Sequence, residues 1–149
     1  MPTLFLDADA CPVKDEAYVV AVRHAVPVKV VANSSLRVPA SPLVELVVVE
    51  GFGAADDWIA DQCRPGDVCV TSDVPLAARV VAAGGVCVDP KGRVLDANTV
   101  GDALAVRDLM ADLRESGVAK GGPGAMTGKH RSSFRDMLDR VLVAAKRRA

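Results

Sequence analysis

Five short apolar runs rich in valine recur along the chain, and segments of helical character separate most of them. The runs occupy residues 3–6, 27–32, 43–49, 68–71 and 86–88. Continuous apolar runs of this length are typical of strands buried on both faces, because a half-exposed strand alternates apolar and polar residues. Strands that alternate with helices predict a three-layer α/β fold, with a mainly parallel sheet and helices on both faces.

Helical spacing and helix-end signals predict the segments between and after these strands. Pro12 and Pro75 favour helix starts, and Asn98 is a good capping residue. We expect helices at 13–25, 54–63, 75–83, 99–116 and 129–146. The apolar residues of the fourth helix, Leu109 among them, more often mark a core than an interface.

The chain length fits one domain, which we place at residues 1–149. A Gly-rich loop at 117–128 would join the last helix, 129–146, to that same domain. Oligomeric state is left open by the sequence.

Charge is divided unevenly along the chain. Residues 1–100 carry 8 Lys/Arg and 13 Asp/Glu, and residues 101–149 carry 10 and 6, which gives −5 and +4. A basic C-terminal part beside an acidic body would suit a phosphate-binding surface next to a metal site, although a solvated basic helix is an equally simple interpretation.

The rest of the composition favours a cytoplasmic protein with no membrane span. No apolar run approaches the roughly 20 residues of a spanning helix, and acidic residues appear by position 7. The four cysteines are singly spaced, so no zinc site is expected, and no nucleotide cofactor is expected either. Cys11 follows an acidic motif, where it is either a reactive thiol or a packing residue.

Polar and acidic residues follow three of the predicted strands and open one of the helices. Asp7 and Asp9 follow the first strand, Asn33 the second and Asp73 the fourth, while Asp56 and Asp57 open the second helix. Ligand sites in parallel sheets form outside the carboxyl ends of the strands. Acidic clusters without His or Cys favour Mg²⁺ or Mn²⁺. For Asp56 and Asp57, interaction with the helix dipole is an equally good explanation.

A strand that ends in Asp-x-Asp also opens the haloacid dehalogenase-type phosphatases. In that alternative Asp7 would be the nucleophile and Asp9 the acid/base. The chain has Cys11 where those enzymes usually have Thr or Val, and it has no convincing late acidic pair. The phosphatase alternative is therefore weakened and kept.

Longer motifs distributed over nearly the whole chain carry a more specific resemblance. The stretch Asp7-Ala-Asp-Ala-Cys-Pro-Val-Lys14 resembles the opening signature of the YaiI/YqxD family of bacterial proteins. The resemblance continues, in order, through Val31-Ala-Asn33, Leu36-Arg-Val-Pro39, Gly51-Phe-Gly-Ala-Ala-Asp56, Thr71-Ser-Asp-Val-Pro-Leu-Ala77, Arg107-Asp108 and Gly121-Gly-Pro123.

This family is grouped with PIN-like domains, many of which are metal-dependent ribonucleases, so the resemblance implies a PIN-like fold. Asp7, Asp56 and Asp73 match the places of the catalytic acids. Asp9 and Asp57 would be accessory acids, and Asn33 would stand at the mouth of the site. The implied metal ligands are Asp7, Asp9, Asp56 and Asp73.

The chain departs from the family pattern at two positions. Gly53 stands where the family usually has Asp, one helical turn before Asp56, and His130 replaces an acid near the last helix. Loss of a carboxylate would weaken a metal site unless Asp57 compensates.

Three hypotheses remain. The first is a metal-dependent ribonuclease whose phosphate contacts are Lys14, Arg37, Arg131 and Arg135, with Arg140 further along the same helix. Aromatic residues make up only 3% of the chain, which argues against tight single-strand binding by base stacking. The second hypothesis is the phosphatase, and the third is a catalytically silent PIN-like interaction protein.

Overall fold

The computed structural model describes residues 1–117 and 125–148, so most of the predicted Gly-rich loop lies outside the described residues. The strands are β1 (Leu4–Asp7), β2 (Val28–Ala32), β3 (Val44–Val48), β4 (Val68–Val70), β5 (Val86–Val88) and β6 (Val94–Leu95). The helices are α1 (Lys14–Arg23), α2 (Ala54–Gln62), α3 (Val74–Ala82), α4 (Val100–Glu115) and α5 (Gly128–Arg148), and a short 3-10 helix covers Ala8–Ala10. A helix lies between most successive strands, but β2 is followed by β3 and β5 by β6 with no helix in the intervening described residues.

The six strands form one sheet in the order β3-β2-β1-β4-β5-β6. All neighbours are parallel except β5 and β6, which pair antiparallel with Cys87 opposite Leu95. The predicted mainly parallel sheet is confirmed, and every predicted element ends within two residues of its prediction. The sequence prediction missed β6, because two residues are too few to show a strand period.

Helices cover both faces of the sheet, which gives the predicted three layers. Alternate strand residues point to opposite faces, so that Leu4 and Leu6 join one core while Phe5 joins the other. Helices α1 and α5 pack on the first core, and α2, α3 and α4 lie on the second.

Helix α5 is anchored in the first core by three side chains with no exposed surface, Phe134, Leu138 and Leu142. Helix α4 is different, because Ala103 is its one buried residue and Leu109 is 57% exposed. The expectation that the apolar residues of α4 mark the core was therefore wrong for Leu109.

Among the described residues, no helix combines the length and the apolar character needed to cross a membrane.

Candidate functional site

The candidate site lies between β1 and β4, at the carboxyl ends of the two central strands. After β1 the chain turns into α1 on one face of the sheet, and after β4 it turns into α3 on the other. Neighbouring strands whose connections leave in opposite directions open a crevice at the sheet edge, which is where α/β proteins bind ligands. The backbone N–H of Ser72 donates to the carbonyl of Ala10 at 3.3 Å and ties the two loops together.

Asp7 ends β1 and is only 4% exposed. The hydroxyl of Thr71, a residue with no exposed surface, donates to Asp7 Oδ2 at 2.8 Å. Burial raises the pKa of Asp7 from its ordinary 3.8 to about 6, the Thr71 hydrogen bond opposes that rise, and the charges of Asp56, Asp73 and Asp9 add to it. Asp7 is therefore a carboxyl group surrounded by like charge.

Asp73 caps the amino end of α3. Its Oδ1 accepts a hydrogen bond from the backbone N–H of Leu76 at 3.2 Å, and its own N–H donates to Thr71 Oγ1 at 2.9 Å. Capping explains why an Asp starts this helix. It also fixes the carboxylate at the edge of the crevice, beside the strand end that carries Asp7.

Asp56 and Asp57 are neighbours on α2 and have different surroundings. Burial raises the pKa of Asp56, and the charge of Asp73 raises it further. Asp57 is exposed, and its Oδ1 accepts a hydrogen bond from Arg79 Nη1 at 2.8 Å. The carboxylates that raise the pKa of Asp7 are Asp56, Asp73 and Asp9. The structure thus brings Asp56 toward Asp7 and turns Asp57 toward α3.

Asp9 and Asn33 connect the loops that follow β1 and β2. Asp9 is exposed, and its Oδ2 accepts a hydrogen bond from the backbone N–H of Asn33 at 3.2 Å. The side chain of Asn33 is exposed at the same edge of the sheet. Asp9 therefore holds the loop after β2 in place and also lies close enough to Asp7 for its charge to act on that residue.

The spacing of the acids limits the kind of cation that fits. Within residues 1–117 and 125–148, no three His, Cys, Asp or Glu side chains lie close enough together to form a complete cation cage. Mg²⁺ usually keeps several waters and needs only one or two carboxylates plus a substrate phosphate. The donor set fits such a hydrated ion, which would need only one or two of the carboxylates around Asp7.

The predicted phosphate-binding residues fall into two groups. Lys14 Nζ donates to the carbonyl of Cys11 at 2.8 Å, and Arg131 Nη1 binds Glu16 Oε1 at 3.0 Å, so both have partners in the fold. Arg37 and Arg135 are exposed, and neither forms an ion pair within the described part of the chain. These two arginines are the more available cations.

Cys11 is 2% exposed, and burial raises the pKa of its thiol to about 11. A thiol with such a pKa stays protonated near neutral pH, and only the thiolate is a good nucleophile. The structure therefore favours the packing role of Cys11 over the reactive one.

Two features of this edge were not predicted as functional. Thr71 supplies the hydrogen bond to Asp7, and its position before Ser72-Asp73 was the available signal. Phe52 is fully exposed, at 108% of its reference surface, in the loop that leads to Asp56. Its place between two glycines, Gly51 and Gly53, was the sequence signal for an aromatic side chain held away from the core.

The fold and the edge acids define a class, namely a three-layer α/β protein with a carboxylate cluster at the switch point of its sheet. Comparison with known proteins identifies the family within this class. The family described as "Uncharacterized BCR, YaiI/YqxD family" matches residues 5–144, and the chain belongs to this family.

Similar proteins carry the name UPF0178 protein. One from Caulobacter vibrioides (strain NA1000 / CB15N) is 54% identical over 148 residues, covering 99% of this chain and 97% of that one. UPF0178 protein bll3966 from Bradyrhizobium diazoefficiens is 51% identical, covering 97% of this chain and 87% of its own. No solved structure matches the chain.

Proposed function

We propose that this protein is a Mg²⁺- or Mn²⁺-dependent nuclease of PIN-like type that hydrolyses phosphodiester bonds in RNA. The observation that carries the proposal is the convergence of Asp7, Asp9, Asp56 and Asp73 on the edge of the sheet where β1 and β4 end. Like charges so arranged repel one another, and a bound cation would relieve that repulsion.

Each acid has a distinct part in this proposal. Asp7 and Asp73 hold the ion, Asp56 orients the attacking water, and Asp9 lies at the open side, where it accepts the N–H of Asn33. A divalent ion in such a site stabilises charge on the phosphate and lowers the pKa of a bound water. Thr71 keeps the Asp7 carboxylate in one orientation by donating to Oδ2.

Phosphate contacts would come from cations outside the acidic cluster. Arg37 and Arg135 are exposed and available, whereas Lys14 and Arg131 hold the fold as well. Such contacts carry no sequence information and weaken with salt. The proposed substrate is therefore RNA in general, without a preferred base sequence.

A second candidate is a PIN-like interaction protein without catalysis. Two observations favour it, namely the absence of a three-residue ligand group among the described residues and Gly53 in place of the family's usual acid. Both candidates predict the same fold and differ in metal binding.

The deciding experiment is a Mn²⁺ titration by calorimetry, followed by cleavage assays on single-stranded RNA. We expect saturable binding that Asp7→Asn and Asp73→Asn each weaken about tenfold or more. Asn keeps both the acceptor for Thr71 and the cap of α3, so these variants remove charge and keep the folded structure. Asp61→Asn, an exposed change on α2, is the matched control.

Binding that is lost in both site variants and kept in the control, together with RNA cleavage that follows it, supports the nuclease. No binding at millimolar Mn²⁺ by the folded protein overturns it and leaves the interaction protein. Cleavage of phosphomonoesters with acyl-phosphate formation on Asp7 would instead establish the phosphatase.

A further inference from the structure

A cavity of about 370 Å³ lies beside the acidic cluster, on the side of β5 and β6. Ser72, the residue before Asp73, lines it, and so does Pro12, which follows the β1 end of the site. The Ser72–Ala10 hydrogen bond joins the loops that carry these two residues. The cavity therefore adjoins the candidate site through the residues that follow β1 and β4. Its volume is large enough for a small ligand.

Most of the cavity wall is apolar, and its charged side chains lie on one side. The apolar lining consists of Pro12, Val74, Pro90, Leu95 and Met126. An apolar wall of this kind can pack against the face of a nucleobase, because ligand pockets are lined mainly by hydrophobic side chains and the face of a base carries no charge. None of these apolar residues belongs to the proposed metal site.

The polar side of the cavity is the hairpin between β5 and β6. Asp89 holds this turn, since its Oδ1 accepts the backbone N–H groups of Lys91 at 3.0 Å and Arg93 at 2.9 Å. Asp89 Oδ2 lies 3.7 Å from Arg93 Nε. Within the part of the chain that the structure describes, Lys91 forms no ion pair, so its ammonium group is available to an anion in the cavity.

The hairpin is fixed in place by close packing on α5. Gly92 has φ +94°, and a Cβ there would lie 2.8 Å from the backbone carbon of Ser133. Only glycine permits this approach, which presses the turn against the helix. The backbone that carries Lys91 and Arg93 is thus fixed in a turn beside the cavity, so less backbone freedom is lost when their side chains bind an anion.

From the cavity, its apolar wall and the two cations on its fixed turn, we infer a binding site for one nucleotide unit, with the base against the apolar residues and the phosphate at Lys91 and Arg93. This inference rests on the proposed function, because it makes the cavity the subsite for the nucleotide next to the scissile phosphate. The same chemistry would also hold a free nucleoside monophosphate.

The inference is tested by calorimetric binding measurements in EDTA, where no metal-dependent cleavage occurs, with three small molecules and one oligonucleotide as probes. The probes are a nucleoside 5′-monophosphate, the matching nucleoside, inorganic phosphate and a short single-stranded oligoribonucleotide. We expect the monophosphate to bind more tightly than the nucleoside or phosphate alone. Lys91→Gln should weaken it about tenfold, and Arg93→Gln less, because Asp89 already engages Arg93.

For the oligoribonucleotide, Lys91→Gln should lower the slope of log K against log salt by about one, which a purely structural change would not do. Arg114→Gln, an exposed change on α4, is the matched control and should alter neither quantity. Amide NMR shifts induced by the monophosphate should include Ser72, Val74 and Lys91.

Binding of the oligoribonucleotide with this slope change identifies a chain nucleotide as the ligand, and binding of the monophosphate alone identifies a free nucleotide. Absence of saturable binding by any probe, or equal binding by Lys91→Gln and Arg114→Gln, overturns the inference. The Mn²⁺ titration is independent, so a nucleotide pocket without a metal site, or a metal site without a nucleotide pocket, is recognised directly.

Discussion

Asp7 is the residue on which the chemistry of the sheet edge depends, and it is costly to ionise there. Its pKa of about 6 exceeds the ordinary 3.8 because the carboxyl is buried among other acids. Between these two pH values the folded protein keeps a proton that the unfolded chain has released. The stabilisation due to this proton is complete below about pH 4 and is lost as pH rises through about 6.

The resulting prediction concerns the free energy of unfolding in EDTA. For the unsubstituted protein it should fall between about pH 4 and pH 6 by as much as roughly 3 kcal/mol from Asp7 alone. Asp7→Asn stays neutral and keeps the acceptor for Thr71, so it should lack this part of the fall and be more stable at pH 7.5. Urea denaturation across this pH range measures the difference. Identical pH profiles for the two proteins would contradict the assignment.

Gly53 offers a second prediction at this scale. It caps α2 with φ +71°, and nothing lies within 4 Å of the position a Cβ would take. Asp is among the residues that tolerate this conformation, at a cost of about 1 kcal/mol. Gly53→Asp restores the acid that the family resemblance implies, one turn before Asp56.

We expect Gly53→Asp to bind Mn²⁺ roughly tenfold more tightly, since affinity grows with the number of charged ligands. Gly53→Asn has the same backbone preference and capping ability without the charge, so it should leave the affinity unchanged. Equal affinities for the two variants in a calorimetric titration would place position 53 outside the metal site.

At the scale of elements, α4 and α5 are bound to the fold very differently. Leu138 on α5 has no exposed surface, whereas Leu109 on α4 is 57% exposed. Leu138→Ala should lower the free energy of unfolding by about 2–5 kcal/mol, and Leu109→Ala by less than about 1 kcal/mol. Both changes keep a good helix former, so urea denaturation isolates burial. A similar loss for Leu109→Ala would mean that α4 is covered in solution.

The elements also show what can be predicted from this sequence. Valine-rich runs predicted five of the strands, because burial on both faces leaves a continuous apolar pattern. The strand β6 had no such pattern. Helical spacing predicted the five helices, although the N-cap residue of α4 is Thr99 and not Asn98. The sequence also could not show that the Asp57 side chain would point toward α3. Asp56 and Asp57 are separated by about 100° around the helix axis, and only the packing of α2 on α3 decides which of them meets Arg79.

At the scale of the molecule, the tendency of ligand sites to form outside the carboxyl ends of parallel strands predicted that Asp7, Asp9 and Asp73 would share one edge. Asp56 was indicated by the family resemblance instead. Neither could predict Thr71 as the partner of Asp7, because the two residues are 64 positions apart and meet only when β4 pairs with β1. The cavity beside β5 has residues from distant parts of the chain, from Pro12 to Met126, and no local pattern announces it.

The strand order has a consequence for synthesis of the protein. Leu4–Asp7 is made first, yet it ends in the middle of the sheet, and it alone joins the β3-β2 pair to the β4-β5-β6 group. Its partner Val68–Val70 leaves the ribosome some 64 residues later, which at about 5–20 residues per second is roughly 3–13 seconds. During that time the edge of β1 that later pairs with β4 is exposed, and a nascent chain can mispair there. Among the strands of the sheet, β1 is therefore the one whose second edge stays unpaired for longest during synthesis.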